Sequence, residues 1–379
     1  MAGIYLHIPF CKQACFYCDF HFSTNQEVKT EMTDAIIQEL KLRLDYLGDD
    51  VVETIYFGGG TPSVLTSEEI AAMLNTITTT YRVHQSPEIT LEANPDDLTE
   101  NKLAELRAAG INRLSIGVQS FHDEELQFLH RAHSAAHAIQ CIENARKAGF
   151  NNISIDLIYG IPGQSEKGWQ DSIETALKLL PEHISAYSLT IEEKTVFGRQ
   201  AAKGKLKIVD DDVSAAHLLM LISALDKKGF EHYEISNFAQ PGFISKHNSN
   251  YWRQKKYLGV GPSAHSYNLK TRQFNVANNH EYLRNINAGK IPSQVEVLSI
   301  EDNANDYILT GLRTSWGINL TTLKEEYHYD LLSHHTAYLD QLQHQGLANV
   351  VDICLTLTQS GRMLADKIAT DLFMMHKDV

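Results

Sequence analysis

Cys11, Cys15 and Cys18 are three of the chain's five cysteines, and their spacing is C-x3-C-x2-C. Thiolate sulfur is a soft donor suited to iron and zinc, and [4Fe-4S] clusters are held by cysteine. Three protein ligands leave one iron open to chelate an external amino and carboxylate group. Zinc is the alternative reading; it needs a fourth ligand, which His7 or His21 could supply. Cysteines crowded in this way do not resemble a spread disulfide framework, and a metal site in a reducing compartment fits better. Cys141 and Cys354 stand alone in helix-like and strand-like segments and read as packed structural residues.

Other groups could serve the same site. Gly58-Gly59-Gly60-Thr61-Pro62 is either a tight turn or a loop that lets backbone approach a ligand closely. It lacks the Lys-Ser/Thr ending of a phosphate-binding loop. Glu92, Gln119, Arg131 and Asp156 are polar groups at or near the ends of apolar segments. Carboxylates and amides can hold hydroxyl and amino groups, and arginine can pair with a carboxylate. Taken singly, each could equally be a strand-end residue in a structural hydrogen bond. Further along runs His247-Asn248-Ser249-Asn250-Tyr251-Trp252. Alone, a histidine among aromatics reads as a satisfied core residue. His130 and His133 flank Arg131, and His334 and His335 are adjacent; none is assigned to metal.

These residues must be positioned by a scaffold. Apolar, β-branched segments predict strands near Ile4–Ile8, Val51–Phe57, Glu88–Glu92, Arg113–Gln119, Ile153–Tyr159 and Ile184–Leu189. Between the first two, Val28, Met32, Ile36, Leu40 and Leu44 recur every fourth position and predict a helix with one apolar face. The pattern implies an α/β fold of six parallel strands with crossovers, an open (β/α)6 barrel, although a closed eight-stranded version has the same local signature. Such sheets collect their sites at the carboxyl ends of the strands, where the glycine run and the polar groups fall. Residues 1–205 are expected to form this core barrel, 206–297 a connecting and ligand-binding region, and 298–379 a smaller, mainly helical, winged-helix-like domain.

With these residues in place, the chain resembles the radical S-adenosylmethionine superfamily. Tyr5-Leu-His-Ile-Pro-Phe-Cys11 is similar to the start of its branch of coproporphyrinogen oxidases and HemW-type haem chaperones. The resemblance runs from Tyr5 to about Ser266 and continues faintly to the end. It implies a [4Fe-4S] cluster on Cys11, Cys15 and Cys18. It implies S-adenosylmethionine bound by Tyr5, Tyr17, Gly59, Gly60, Thr61, Glu92, Gln119, Arg131 and Asp156. It also implies haem held by His247, Tyr251 and Trp252, which match the H-N-x-x-Y-W motif of the haem chaperones; catalytic residues are not assigned.

The oxidases of the branch decarboxylate two propionates through a 5'-deoxyadenosyl radical. Their motif continues to a fourth cysteine where this chain reads Cys18-Asp19-Phe20, and their long N-terminal extension contrasts with ten residues before Cys11. The haem chaperones share both features of this chain. The expected partners are therefore haem and a haem-accepting protein, which could be membrane-bound, with the chain itself a monomer or homodimer.

Composition sets outer limits. At 379 residues the chain is long enough for a large domain and a smaller one. Its 43% hydrophobic and 21% charged residues are those of an ordinary globular protein. A formal charge of −14 argues against a nucleic-acid partner, because such binding is driven by clustered Lys and Arg. No apolar run approaches the length of a membrane span, and the N-terminus lacks a signal peptide's basic flank, so a cytoplasmic location is expected.

Overall fold

The structure, a computed structural model, describes residues 1–375. Six strands follow one another in parallel: β1 (Ala2–Ile8), β2 (Val52–Gly59), β3 (Val83–Ala93), β4 (Arg113–Gln119), β5 (Ile153–Tyr159) and β6 (His183–Ser188). Helices Lys29–Leu42, Ser67–Thr80, Glu100–Ala109, Ala135–Lys147 and Glu166–Lys178 make the crossovers. Local sequence starts these helices. Thr66 and Glu69 form a reciprocal capping box, while Thr99, Ser134 and Ser165 each accept a backbone N–H of the first turn.

The strands alternate in character. Ile4, Leu6, Ile55, Phe57, Leu114, Ile116, Ile155 and Leu157 are fully buried within the main apolar core. Each buried Leu or Ile contributes about 1.5–3 kcal/mol. The residues between them, including Tyr5, His7, Tyr56, Glu92, Ser115 and Asp156, share the opposite, concave face, because side chains alternate with period two. A polar concave face cannot close on itself as an apolar core, so it is available to a ligand.

The six-stranded expectation holds for the centre of the sheet, but the sheet itself has twelve strands. On one side β7 (Glu231–Glu234) pairs antiparallel with β8 (Asn237–Ala239), which in turn pairs antiparallel with β6. On the other, β9 (Lys256–Val260) runs parallel to β1, followed by antiparallel β10 (His265–Tyr267), β11 (Thr271–Asn275) and β12 (Ser293–Val297). These strands cover the edges that β1 and β6 would otherwise leave unpaired.

A second apolar core runs from Ala304 to Met374. It joins helix Ile300–Leu312, helices Leu320–Glu326 and Leu331–His344, and a small sheet of β13 (Ile318–Asn319), β14 (Ala348–Val351) and β15 (Cys354–Leu357), a winged-helix-like arrangement. This lobe meets the barrel through Arg313, which contacts Glu234 at 3.3 Å, and Arg362, which donates to the His232 carbonyl at 2.7 Å. Among the described residues no helix is long and apolar enough to cross a membrane.

Candidate cluster and cofactor site

The three cysteines ride on the loop that leaves β1. Cys11 N–H donates to the Ser23 carbonyl (3.0 Å) and Phe16 N–H to the Leu129 carbonyl (3.2 Å). His130 clamps the loop from the other side: its Nδ1 donates to the Ala14 carbonyl (2.7 Å), and its carbonyl accepts from Gln13 (2.8 Å). Its ring lies flat on Phe16, with centroids 4.2 Å apart. Lys12 ties the loop to Asp96 and Asp97.

Donors already face two of the sulfurs. The Thr61 hydroxyl donates to Cys11 Sγ and Arg131 Nη1 to Cys15 Sγ, both at 3.2 Å. Burial pushes the Cys11 thiol up to about 11 and the Cys18 thiol up to about 12. A metal bound by these thiolates would displace their protons. The three thiols are free of disulfides. Among the described residues no three His, Cys, Asp or Glu converge as they would around a single ion, whereas a cubane distributes its ligands over separate irons. Both fourth ligands of the zinc alternative are engaged elsewhere. His7 Nε2 donates to the His21 carbonyl (2.9 Å) while its Nδ1 faces the Tyr5 hydroxyl (3.2 Å), and His21 Nε2 pairs with Asn279 (2.8 Å).

The strand ends beside this loop hold the polar residues. Glu92 accepts from the Tyr56 hydroxyl (2.8 Å) and the Gly59 N–H (3.2 Å). Burial, with nearby Asp156 adding to it, pushes its carboxyl up to about 7. Asp156 is raised to about 6 by burial, against the opposing charge of Arg113 and the Ser115 hydroxyl at 3.2 Å. At Gln119 the register with β5 shifts and φ is +66°, a bulge that re-aims the side chain at the end of β4. Arg131 donates through Nη2 to Asn94 (2.6 Å) and the Gly117 carbonyl (2.7 Å), and through Nη1 to Tyr17 at 3.5 Å. Its buried Nε has no partner among the described residues, so this arginine keeps capacity for an external acceptor.

The glycine run has an internal reason to exist. Gly59 has φ +104°, and a Cβ there would lie 2.7 Å from the His7 ring; one on Gly60 would lie 2.8 Å from the Ile8 and Phe10 carbonyls. Gly60 N–H donates to Ile8 (2.8 Å) and Thr61 N–H to Phe10 (2.7 Å). These amides therefore hold the loop against the end of β1.

The structure brings Tyr5, Tyr17, Gly59, Gly60, Thr61, Glu92, Gln119, Arg131 and Asp156 to one end of the barrel with the cysteines. It does not bring His247, Tyr251 and Trp252 there. Helix Lys246–Trp252 lies at the amino ends of the strands, where Glu88 accepts the N–H groups of Lys246 (3.1 Å) and His247 (3.0 Å). His247 is 2% exposed; Nδ1 meets Thr54 and Nε2 meets the Tyr251 hydroxyl, both at 2.8 Å. Burial and Arg113 push its pKa down to about 3. To ligate iron it would have to give up one of these hydrogen bonds. It reaches toward that end by stacking on Tyr56 (4.8 Å), which donates to Glu92, and on Tyr5 (6.4 Å). Half-buried Trp252 lies under Arg313 of the C-terminal lobe, 5.6 Å from the ring centre.

Residues 5–176 match the Radical SAM superfamily. Over 97% of this chain and 98% of the relative, the sequence is 37% identical to heme chaperone HemW of Bacillus subtilis. It is 33% identical to heme chaperone HemW of Mycobacterium tuberculosis, covering 98% of this chain and 94% of that one. The chain belongs to the HemW family. The solved structure of coproporphyrinogen III oxidase from Escherichia coli, a radical SAM enzyme, superposes with a TM-score of 0.84 over 98% of this chain and 90% of that one, at 23% identity. HemW-family sequence thus sits on a fold shared with that oxidase.

Two residues at this HemW-family site were not singled out as candidates from sequence. Arg113 is 1% exposed, and its Nε and Nη1 have no partner among the described residues, yet its charge acts on Glu92, Asp156 and His247. Its signal was available: it stands two residues before Ser115 on β4 and so shares the concave face with it. His130 reads from the sequence only as a neighbour of Arg131, because a loop histidine has no periodicity to betray its stacking partner.

Proposed function

We propose that the chain is a haem chaperone that binds haem and passes it to an acceptor protein, with a [4Fe-4S] cluster and S-adenosylmethionine held in its radical SAM core. The observation that carries this reading is similarity to HemW chaperones along almost the entire chain. The donor set suits the cluster: three free thiols on one pinned loop, two of them already receiving hydrogen bonds. When bound, a cluster with one iron free of protein ligands would chelate S-adenosylmethionine and supply an electron to it.

The chain's own groups then have distinct tasks. The unpartnered Arg131 Nε suits the methionine carboxylate. Glu92 and Asp156 suit the amino group and the ribose hydroxyls, Gln119 a further polar edge, and Tyr5 and Tyr17 the flanks. Tyr251 and Trp252 remain candidates for contact with haem, with His247 hydrogen-bonded to the Tyr251 hydroxyl (2.8 Å). A cytoplasmic location and a separate acceptor complete the proposal.

The test is anaerobic. Reconstituted chain is titrated with haem, freed of excess, and mixed with an apo-haemoprotein. Stoichiometric uptake followed by transfer supports the proposal; failure to take up haem refutes it.

A further inference from the structure

Helix Lys246–Trp252 ends against the C-terminal lobe, and two tryptophans and two arginines make the junction. Trp169 is fully buried in the barrel, whereas the other two tryptophans of the chain, Trp252 and Trp316, are half-buried and meet here. Arg313 stands over the Trp252 ring, 5.6 Å from its centre, and Arg253 stands over the Trp316 ring at 4.5 Å. Trp316 also stacks on Tyr233 of β7, with centroids 6.5 Å apart and 14° between planes, and the Ser315 N–H donates to the Tyr233 carbonyl (2.9 Å). Tyr233 is 1% exposed and hydrogen-bonded to His183 (2.8 Å), so the platform under Arg253 is anchored in the barrel. Just past the helix, Gln254 donates to the Asn303 carbonyl (3.4 Å) and accepts from the Tyr327 hydroxyl (3.1 Å). The end of the helix is thus tied to the lobe on both sides of Trp252.

The two arginines are in opposite circumstances. Arg313 is engaged by Glu234 at 3.3 Å and by Asp366 at 2.7 Å. Arg253 is exposed, and its guanidinium has no hydrogen bond or ion pair among the described residues. A guanidinium laid on an aromatic ring is already oriented, and its N–H edge can take a carboxylate through two parallel hydrogen bonds. The indole N–H of Trp252 also has no acceptor among the described residues, so the junction holds a second donor without a partner. Haem presents an apolar macrocycle with two propionate carboxylates. An aromatic side chain such as Trp252 answers the macrocycle. The chain carries a formal charge of −14, so its overall field opposes the propionates and a cation is needed where they arrive.

We propose that Arg253, held on Trp316, pairs with a propionate of haem bound at helix Lys246–Trp252, so that the C-terminal lobe supplies part of the haem site. The assignment rests on the haem-chaperone reading and adds a residue for the carboxylate end of the ligand to Tyr251 and Trp252. An ion pair at an exposed rim is modest in strength, which suits a cargo that has to be handed on.

The experiment is an anaerobic titration of the reconstituted full chain, read by the visible spectrum, with haem and separately with haem dimethyl ester, whose esterified propionates carry no charge. It compares the unsubstituted protein with Arg253→Ala, Arg253→Lys and Trp316→Leu, with cluster iron as the control for folding. The unsubstituted chain should bind haem about fivefold to tenfold more tightly than the ester. Arg253→Ala should lose that preference through a fall in haem affinity alone, with ester affinity unchanged. Arg253→Lys should keep part of it, because lysine brings the charge without the planar fork. Trp316→Leu should lose most of it, because the guanidinium is no longer held. A preference for haem over the ester that is the same in Arg253→Ala as in the unsubstituted chain would overturn the assignment alone. An equal loss of both ligands in Arg253→Ala would also overturn it, by showing a structural effect in place of a carboxylate contact. No uptake of either ligand by the unsubstituted chain would remove the chaperone reading, and this assignment with it.

Discussion

Glu92→Gln should make the ligand-free protein more stable at neutral to alkaline pH while weakening its hold on S-adenosylmethionine. The Glu92 carboxyl is raised from 4.5 to about 7, chiefly by burial. The folded chain therefore holds a proton that the unfolded chain releases. Its contribution to stability is fully present below 4.5 and is lost as pH rises toward 7, beyond which an ionised carboxylate must be kept buried. A displacement of that size corresponds to roughly 3 kcal/mol. Glutamine removes the charge but weakens the bonds from Tyr56 and Gly59, at about 1 kcal/mol. The net gain near pH 8 is then about 2 kcal/mol, and it should vanish near pH 5, where Glu92 is already neutral. Urea unfolding of both proteins at the two pH values measures it. Equal destabilisation at both would refute the reasoning, because it would mean that Glu92 is a structural partner whose charge costs nothing.

Cys11→Ala, Cys15→Ala and Cys18→Ala should each abolish a stable cluster by iron and sulfide analysis, whereas Cys141→Ala, in a helix core, should leave it intact. Arg131→Lys loses the bonds to Asn94, Gly117 and Cys15 that a planar guanidinium makes together, and should weaken cofactor affinity by about tenfold to a hundredfold, read as the cofactor-induced change in the reduced cluster's spin resonance. His247→Ala removes hydrogen bonds to Thr54 and Tyr251 and the stack on Tyr56, and should cost roughly 2–4 kcal/mol in chemical unfolding.

The parallel centre of the fold was legible because β1–β6 carry apolar, β-branched residues that pack beneath crossover helices, and strand ends then gathered the cysteine loop, Glu92, Gln119 and Asp156. The flanking strands were not. β8 and β10 are three residues long, β9 contains a glycine, and β12 is exposed at most of its positions, so none shows a readable period. The placement of His247 was equally hidden. β8 runs antiparallel to β6, so the chain leaves it at the amino end of the barrel, and the helix that follows starts against Glu88 and Thr54. No local pattern reports that reversal. The glycine run was read for its openness to a ligand, while the structure adds that the His7 ring and the end of β1 leave no space for a Cβ.

The most direct test of the account gives anaerobically reconstituted chain, with S-adenosylmethionine and a reductant, both haem and coproporphyrinogen at once. After gel filtration, bound haem and porphyrinogen products are quantified from the same incubation. A haem chaperone built on the oxidase fold should retain about one haem per chain and leave coproporphyrinogen unchanged. Conversion to protoporphyrinogen without haem retention would contradict it.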